Sequence, residues 1–99
     1  MDENSLKEKI TEAIERTKEL VKFFQVNNFT GYWDVHFLLL IGLLEKGRLK
    51  EAFELEGELT RVGPGTVEDL PLTHHQEEEF VVLYKRQIES IVDIQVDIM

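Results

Sequence analysis

The segment from Trp33 to Gly47, WDVHFLLLIGLLEKG, is the most apolar part of this chain and constrains the fold more than any other feature. Its apolar residues fall on nearly every side of a helix, and a helix that is hydrophobic all round belongs inside a bundle. A short apolar run also suits a buried strand. Leucine prevails here over valine and isoleucine, and Lys46–Gly47 is typical of a helix C-terminus. We therefore predict a central, buried helix 2.

Helix 1 is expected to run from near Leu6 to near Val26. Ser5 and Glu8 have the spacing of a capping box, in which two side chains satisfy free backbone N–H groups at a helix start. The Asn pair after Val26 favours a turn. Thr30 is the predicted N-cap of helix 2. An apolar stripe at helical spacing marks the inner face of helix 1: Leu6, Ile10, Ala13, Thr17, Leu20 and Phe24.

Helix 3 follows the turn at Gly47 and is expected to end at Val62. Gly63 is the predicted C-cap, and Pro64 prevents the helix from continuing. Residues 63–73 then form the one substantial loop. Glu51, Glu54, Glu58 and Lys50 of helix 3 are expected to face water. Its inner stripe comprises Leu49, Ala52, Phe53, Leu55, Leu59 and Val62.

Helix 4 is expected to begin after Thr73, which forms a second capping-box pattern with Gln76. The tail from Val92 to Ile98 alternates apolar and polar residues, which is the period of a strand. We expect helix to about residue 94 and leave open whether the end is helical or an extended edge that pairs with another chain. The predicted inner face comprises Phe80, Val81, Tyr84, Ile88, Ile91 and Val92.

These elements predict an all-α fold, a four-helix antiparallel bundle, because the connections between the helices are short. Ninety-nine residues leave room for one hydrophobic core, so residues 1–99 are expected to form a single helical domain. The amino-terminal MDENSLKEK lacks the apolar core of a signal peptide, and the longest apolar run is too short to span a bilayer. We therefore expect a cytoplasmic protein.

Composition narrows the classes of function. The chain has no cysteine, which excludes disulfides, thiolate metal sites and a cysteine nucleophile. Its net charge of −9 disfavours nucleic acid and anionic membranes, because both require a basic surface. The same charge favours encounter with a basic protein partner. The charge is concentrated in residues 63–99, which hold eight acidic and two basic residues.

Two groups of residues are candidates for partner binding. Tyr32 and Trp33 open helix 2, where they either seal the end of the bundle or anchor an interface. The acidic group either docks a basic partner or is a solvated face that keeps a small protein soluble. That group comprises Glu68, Asp69, Glu77, Glu78, Glu79, Glu89 and Asp93.

The central hairpin carries a pattern of small and apolar residues around a glycine turn: Leu40, Gly42, Leu43, Gly47, Arg48, Leu49, Glu51, Ala52, Phe53, Leu55 and Leu59. On these residues, the segment from Phe37 to Gly63 resembles one unit of the tetratricopeptide and pentatricopeptide helical-repeat families. The resemblance implies that Gly42 and Ala52 let two helices approach closely. Those families work as arrays, and this chain has one such unit and an acidic charge, so RNA binding is not expected.

His74 and His75 precede Glu78 and Glu79 by four residues each, a helical spacing that can hold a divalent metal. The alternative is that these acids simply interact with the N-terminal end of the helix dipole. A third ligand would have to come from His36, which we instead interpret as a hydrogen-bonded core histidine. With no glycine-rich phosphate loop and no catalytic motif, we predict no enzyme activity, no cofactor and no metal site.

The sequence therefore predicts a non-catalytic, acidic protein-interaction module. The favoured form is a neutraliser of a basic protein partner such as a toxin, and in size and charge the chain looks like the immunity proteins that bacteria make against their own toxins. One alternative is a helical adaptor, chaperone or homodimer that uses the hairpin of helices 2 and 3. The other is a metal-dependent enzyme at His74 and His75.

Overall fold

The computed structural model describes residues 3–61 and 66–98, apart from the side chains of Glu3 and Asp69. Four helices and no strand occur in these ranges, so the predicted all-α, four-helix fold is confirmed. A short 3₁₀ helix precedes the last of them. The elements are α1 (Glu3–Val26), α2 (Trp33–Glu45), α3 (Leu49–Leu59), the 3₁₀ helix Val67–Asp69 and α4 (His74–Ile98).

Helix α1 occupies the central place in the bundle. It packs extensively against both α4 and α2, whereas α3 packs mainly on α2 and meets α4 over a small area. Aromatic rings contribute to both of the extensive contacts of α1: the ring centroids of Phe24 and Phe37 of α2 lie 5.8 Å apart, and those of Phe23 and Phe80 of α4 lie 5.7 Å apart. The result is an elongated molecule of 42 × 21 × 20 Å.

Helix α2 is covered on one side only. Its inner face, which includes Phe37 and Leu40, is fully buried against the other helices. Val35, Leu38 and Leu39 on the other side are 53, 47 and 57% exposed. The expectation that helix 2 is buried on every side is therefore wrong, because α1 and α3 cover one face and no other described element packs on the opposite one.

The start of α2 is fixed by a carboxylate and not by the predicted cap Thr30, which is exposed. The backbone N–H of Gly31 donates to Asp34 Oδ1 at 2.8 Å. Asn28 and Gly31 both have positive φ, as the predicted turn requires. Helix α1 begins earlier than expected, at Glu3, so Ser5 lies within its first turn.

Two of the helix ends at the later connections agree with the sequence. Gly47 has φ +73°, and the following N–H of Arg48 donates to the Leu43 carbonyl at 2.9 Å, which closes α2. The Thr73–Gln76 capping box is confirmed: each backbone N–H donates to the other's side chain, at 3.0 and 3.2 Å. Helix α3 ends earlier than expected, at Leu59 with Thr60 as its C-cap, so the predicted end at Val62 is wrong. The predicted C-cap Gly63 lies outside the described residues.

Helix α4 remains helical to Ile98, beyond the expected end at residue 94. An ion pair between Lys9 Nζ and Asp97 Oδ1, at 2.6 Å, ties this last turn to α1. The predicted inner face of the helix is partly wrong, since Val81 and Val92 are 52 and 45% exposed. The face that α1 covers is rotated toward Gln87, Ser90 and Ile94, all of which are buried.

Candidate functional site

A groove runs along α4 beside the segment that connects the 3₁₀ helix to it. Val67 is fully buried and holds this segment against the bundle. The Thr73–Gln76 capping box starts α4 directly after this segment. The segment and the helix therefore form the two walls of the groove. The groove has a volume of about 470 Å³. It is lined by Glu68, Leu70, Leu72, Glu77, Phe80, Val81, Tyr84, Lys85, Ile88 and Glu89.

The groove combines an apolar lining with an acidic rim. Leucine, valine and aromatic side chains form most of its wall, while Glu68, Glu77 and Glu89 are exposed. Lys85 is the one basic residue among those that line it. An amphipathic segment with basic residues would match this pattern, because it offers apolar contact and opposite charge at the same time.

Tyr84 places a polar group in this otherwise apolar wall. It is 7% exposed, and its ring stacks on Phe80 with centroids 4.9 Å apart. The hydroxyl is buried and has no hydrogen-bond partner among the described residues. Burial, together with the carboxylates of Glu68 and Glu56, raises the pKa of this hydroxyl. Tyr84 therefore stays neutral and keeps a hydrogen to donate.

The predicted acidic group does not form one continuous surface. Glu68, Glu77 and Glu89 come together at the groove. Glu79 lines a different depression, and Asp93 lines a third. This separation follows from the helix, since successive residues point about 100° apart. The groove therefore unites three members of the predicted set.

The remaining acidic candidates have local surroundings of their own. Glu79 lies beside Glu19 and Lys22 of α1. Glu78 Oε1 lies 3.2 Å from His74 Nε2, one helical turn earlier. The side chain of Asp69 lies outside the described part of the chain.

The two aromatic residues at the start of α2, Tyr32 and Trp33, differ in their exposure to solvent. Tyr32 is 57% exposed, whereas Trp33 is half-buried and packs against the core. Their rings meet edge to face, with centroids 4.8 Å apart. His36 Nδ1 donates to the Tyr32 carbonyl at 2.7 Å. His36 is hydrogen-bonded as expected, but it is half-buried near the end of the bundle, so its placement in the core was wrong.

The described residues do not form a set of ligands for the metal site that was considered at His74 and His75. His74 and Glu78 approach each other, but both are strongly exposed. No group of three or more His, Asp or Glu side chains in residues 3–61 and 66–98 lies close enough to hold a metal ion.

A buried polar cluster, which was not predicted from the sequence, joins three helices. Gln87 Nε2 of α4 donates to Glu56 Oε1 of α3 at 2.7 Å and to Thr17 Oγ1 of α1 at 3.3 Å. All three residues are at most 6% exposed. Burial raises the pKa of Glu56 to about 7, although the hydrogen bond from Gln87 opposes that shift.

The sequence did contain a signal for this cluster. Glu56 lies four residues after Ala52 and three before Leu59, which places it on the inner stripe of α3. Gln87 occupies the equivalent position between Tyr84 and Ile91 on α4. A polar residue in phase with an apolar stripe predicts a buried hydrogen bond, but Glu56 was assigned to neither face of helix 3. Lys50, Glu51, Glu54 and Glu58, which were expected to face water, are exposed.

No family model, curated protein or solved structure matches this chain. Within the part of the chain that the structure describes, no helix combines the length and the hydrophobicity that a membrane span requires. The resemblance of the central hairpin to helical repeats stays a prediction. Its implied close approach at Gly42 is not observed, because a Cβ atom there would meet nothing within 4 Å.

Proposed function

We propose that this protein is a non-catalytic binding module for a basic protein partner, and that the groove along α4 is its binding surface. One observation carries the proposal: an apolar groove of about 470 Å³ is bordered by three glutamates and a single lysine. Grooves of this size bind ligands mainly through apolar contact, while a few polar groups fix the orientation. Here those polar groups select for positive charge.

The expected mode of binding has two parts. Apolar side chains of the partner contact Leu70, Leu72 and Val81, and so remove half-exposed hydrophobic surface from water. Lysine or arginine side chains of the partner pair with Glu77 and Glu89 at the edge. The net charge of −9 accelerates the encounter, since a field of one sign attracts its opposite from a distance.

The narrower form of this proposal is a neutraliser, similar in kind to immunity proteins. A small acidic protein that covers a basic active site prevents a substrate from entering it. The size of the chain, its charge and the position of the groove on one side of an elongated bundle support this form. The alternative of an adaptor or homodimer is favoured by a different observation, the exposed apolar side of α2.

The test compares two double charge reversals that change the net charge equally. E77K/E89K alters the groove, whereas E15K/E54K alters exposed residues of α1 and α3 that do not line it. Each variant and the wild type are titrated with a fluorescent amphipathic helical peptide of leucine and lysine, and used to capture partners from lysate of the source organism. We expect E77K/E89K to lose roughly 10- to 100-fold in affinity and to lose the captured basic protein.

The matched control decides between a specific site and a general charge effect. E15K/E54K should bind within about threefold of the wild type, because surface charges far from the contact contribute mainly to the long-range field. Equal losses in both variants would show that net charge alone drives binding. If E77K/E89K still bound the partner, the groove along α4 would not be the binding surface.

A further inference from the structure

The exposed side of α2 is an apolar surface without charge. It consists of Val35, Leu38, Leu39 and Gly42, and is called the α2 face below. The three larger side chains are 47 to 57% exposed, and a Cβ atom at Gly42 would meet nothing within 4 Å. No Asp, Glu, Lys or Arg occurs from residue 35 to residue 44. Such a patch on a strongly charged protein is typical of an interaction surface.

We propose that the α2 face is a homodimer interface, in which two copies of this chain pack their α2 helices antiparallel across a two-fold axis. This inference goes beyond the proposed function, because the α2 face and the groove share no residue. The occupant of the α2 face is a second copy of the same chain. Two observations carry the inference, the spacing of the face and its charge, and the helix dipoles set the direction of packing.

The spacing of the α2 face is symmetric. Its four positions are separated by three, one and three residues, so the pattern reads the same in both directions about a midpoint between Leu38 and Leu39. A two-fold axis through that midpoint sets Leu38 against Leu39 of the second copy. It also sets Val35 against Gly42 of the second copy, so a branched side chain enters the space above a glycine. An isologous interface requires such self-complementarity.

Charge favours the α2 face over the other exposed apolar positions. Two copies that each carry −9 repel, so their contact must avoid carboxylates. The exposed valines of α4, such as Val81 and Val92, lie among Glu77, Glu89 and Asp93 of the same helix. A two-fold contact there would bring these like charges together. The α2 face brings together none.

The helix dipoles favour the antiparallel arrangement. Helix α2 has the positive end of its dipole at Trp33 and the negative end at Glu45. Antiparallel packing sets the positive end of each helix beside the negative end of the other. Parallel packing would place equal partial charges side by side.

The small size of the face sets the strength of the dimer. A standard stable interface buries about 800 Å² on each partner. Three half-exposed aliphatic residues provide less than that, so the dissociation constant should be on the order of micromolar. The dimer should tighten as salt is added, because ions screen the repulsion between the two acidic copies.

Sedimentation velocity on the full chain tests the interface, with wild type, L39E and the control V82E measured from about 1 μM to 1 mM. Val82 is 48% exposed on α4, so V82E makes the same change on another apolar position. We expect wild type and V82E to shift from monomer to dimer with concentration. L39E should raise the dissociation constant roughly 100-fold or more, because two unpaired charges would be buried near the axis. Circular dichroism checks that each variant is helical.

Disulfide cross-linking tests the orientation without relying on any destabilising charge. The chain has no cysteine, so each variant carries only the introduced thiol. L39C should cross-link to itself near the axis. V35C and G42C should cross-link when mixed, whereas G42C alone should not, because its two copies would lie about 10 Å apart along the axis.

Three outcomes would overturn the inference. The first is a monomer at every concentration, and the second is a dimer that V82E dissociates and L39E does not. The third is efficient cross-linking of G42C to itself with none between V35C and G42C, which would show another arrangement of the helices.

Discussion

The α2 face and the groove along α4 both leave aliphatic side chains in water, yet they differ in charge. Val35, Leu38 and Leu39 lie in a stretch, residues 35–44, that contains no Asp, Glu, Lys or Arg, whereas Val81 in the groove lies among three glutamates. The hydrophobic effect contributes to binding at either surface and does not depend on the identity of the partner. The surrounding charge determines the partner: another acidic copy for the first surface and a basic protein for the second.

The two surfaces should be separable by mutation, and this is the largest effect expected. L39E should be largely monomeric at about 10 μM, where the wild type is largely dimeric, and leave the affinity for the basic peptide unchanged. E77K/E89K should weaken the peptide roughly 10- to 100-fold and leave dimerisation unchanged or slightly stronger, since it reduces the charge that repels. Sedimentation and fluorescence anisotropy on the same samples measure both. Loss of both activities in either variant would mean that the surfaces are not independent.

The buried cluster at Glu56 connects the helix pair that carries the α2 face to the helix that carries the groove. The raised pKa of Glu56, about 7, means that the folded state favours its protonated form. Its contribution to stability is therefore complete below its ordinary pKa of 4.5 and is lost as the pH rises through 7. The loss should amount to about 3 kcal/mol between pH 4 and pH 8.

E56Q should remove this pH dependence. Glu56 Oε2 and Gln87 Oε1 are both buried without a partner among the described residues, and an amide at position 56 can donate to the latter. E56Q should then exceed the wild type in stability at pH 8 and match it near pH 4, as measured by urea unfolding. E54Q, on the exposed side of α3, should behave as the wild type does. A parallel pH profile for E56Q and wild type would contradict the assignment.

Salt should act on the two surfaces in opposite directions. Raising NaCl from 50 to 500 mM should weaken peptide binding in the groove roughly tenfold, because it screens the pairing with Glu77 and Glu89. The same change should strengthen the dimer a few-fold, because it screens the repulsion between copies. The two constants are measured across one salt series. If both moved in the same direction, the division of the surface into a charged and a neutral site would be wrong.

The smallest effect is expected from Tyr84. Y84F removes a buried hydroxyl that has no partner among the described residues, and so should raise the free energy of unfolding by about 1 kcal/mol. The same change should leave the affinity for the basic peptide unchanged, because the hydroxyl is buried and out of the peptide's reach. Thermal unfolding and anisotropy measure the two effects. A loss of stability in Y84F would show that the hydroxyl is hydrogen-bonded in solution.

The sequence predicted those features that depend on a few neighbouring residues. The helix end at Gly47 and the Thr73–Gln76 capping box follow from local backbone chemistry, and both are observed. It failed where the answer depends on which neighbour covers a helix. Nothing local distinguishes Leu40, which is fully buried, from Leu39, which is 57% exposed one residue earlier.

The candidate site was only partly predictable for the same reason. The concentration of acid in the last third of the chain indicated Glu77 and Glu89, but helix geometry sends Glu79 and Asp93 to other depressions. The apolar wall contributed by Leu70 and the 3₁₀ segment depends on a tertiary contact that no spacing in the sequence reveals.

Titration of ¹⁵N-labelled protein with the amphipathic basic peptide, followed by NMR, would show which surface the peptide contacts. We expect the amides of Leu70, Val81, Tyr84, Lys85 and Ile88 to shift, and those of the α2 face to stay unchanged. The contradicting result is a set of shifts on α2, or small shifts spread over all acidic residues with no maximum at the groove. Shifts on α2 would show that the partner binds there. Small shifts over all acidic residues would show that these residues attract the peptide only through their overall charge.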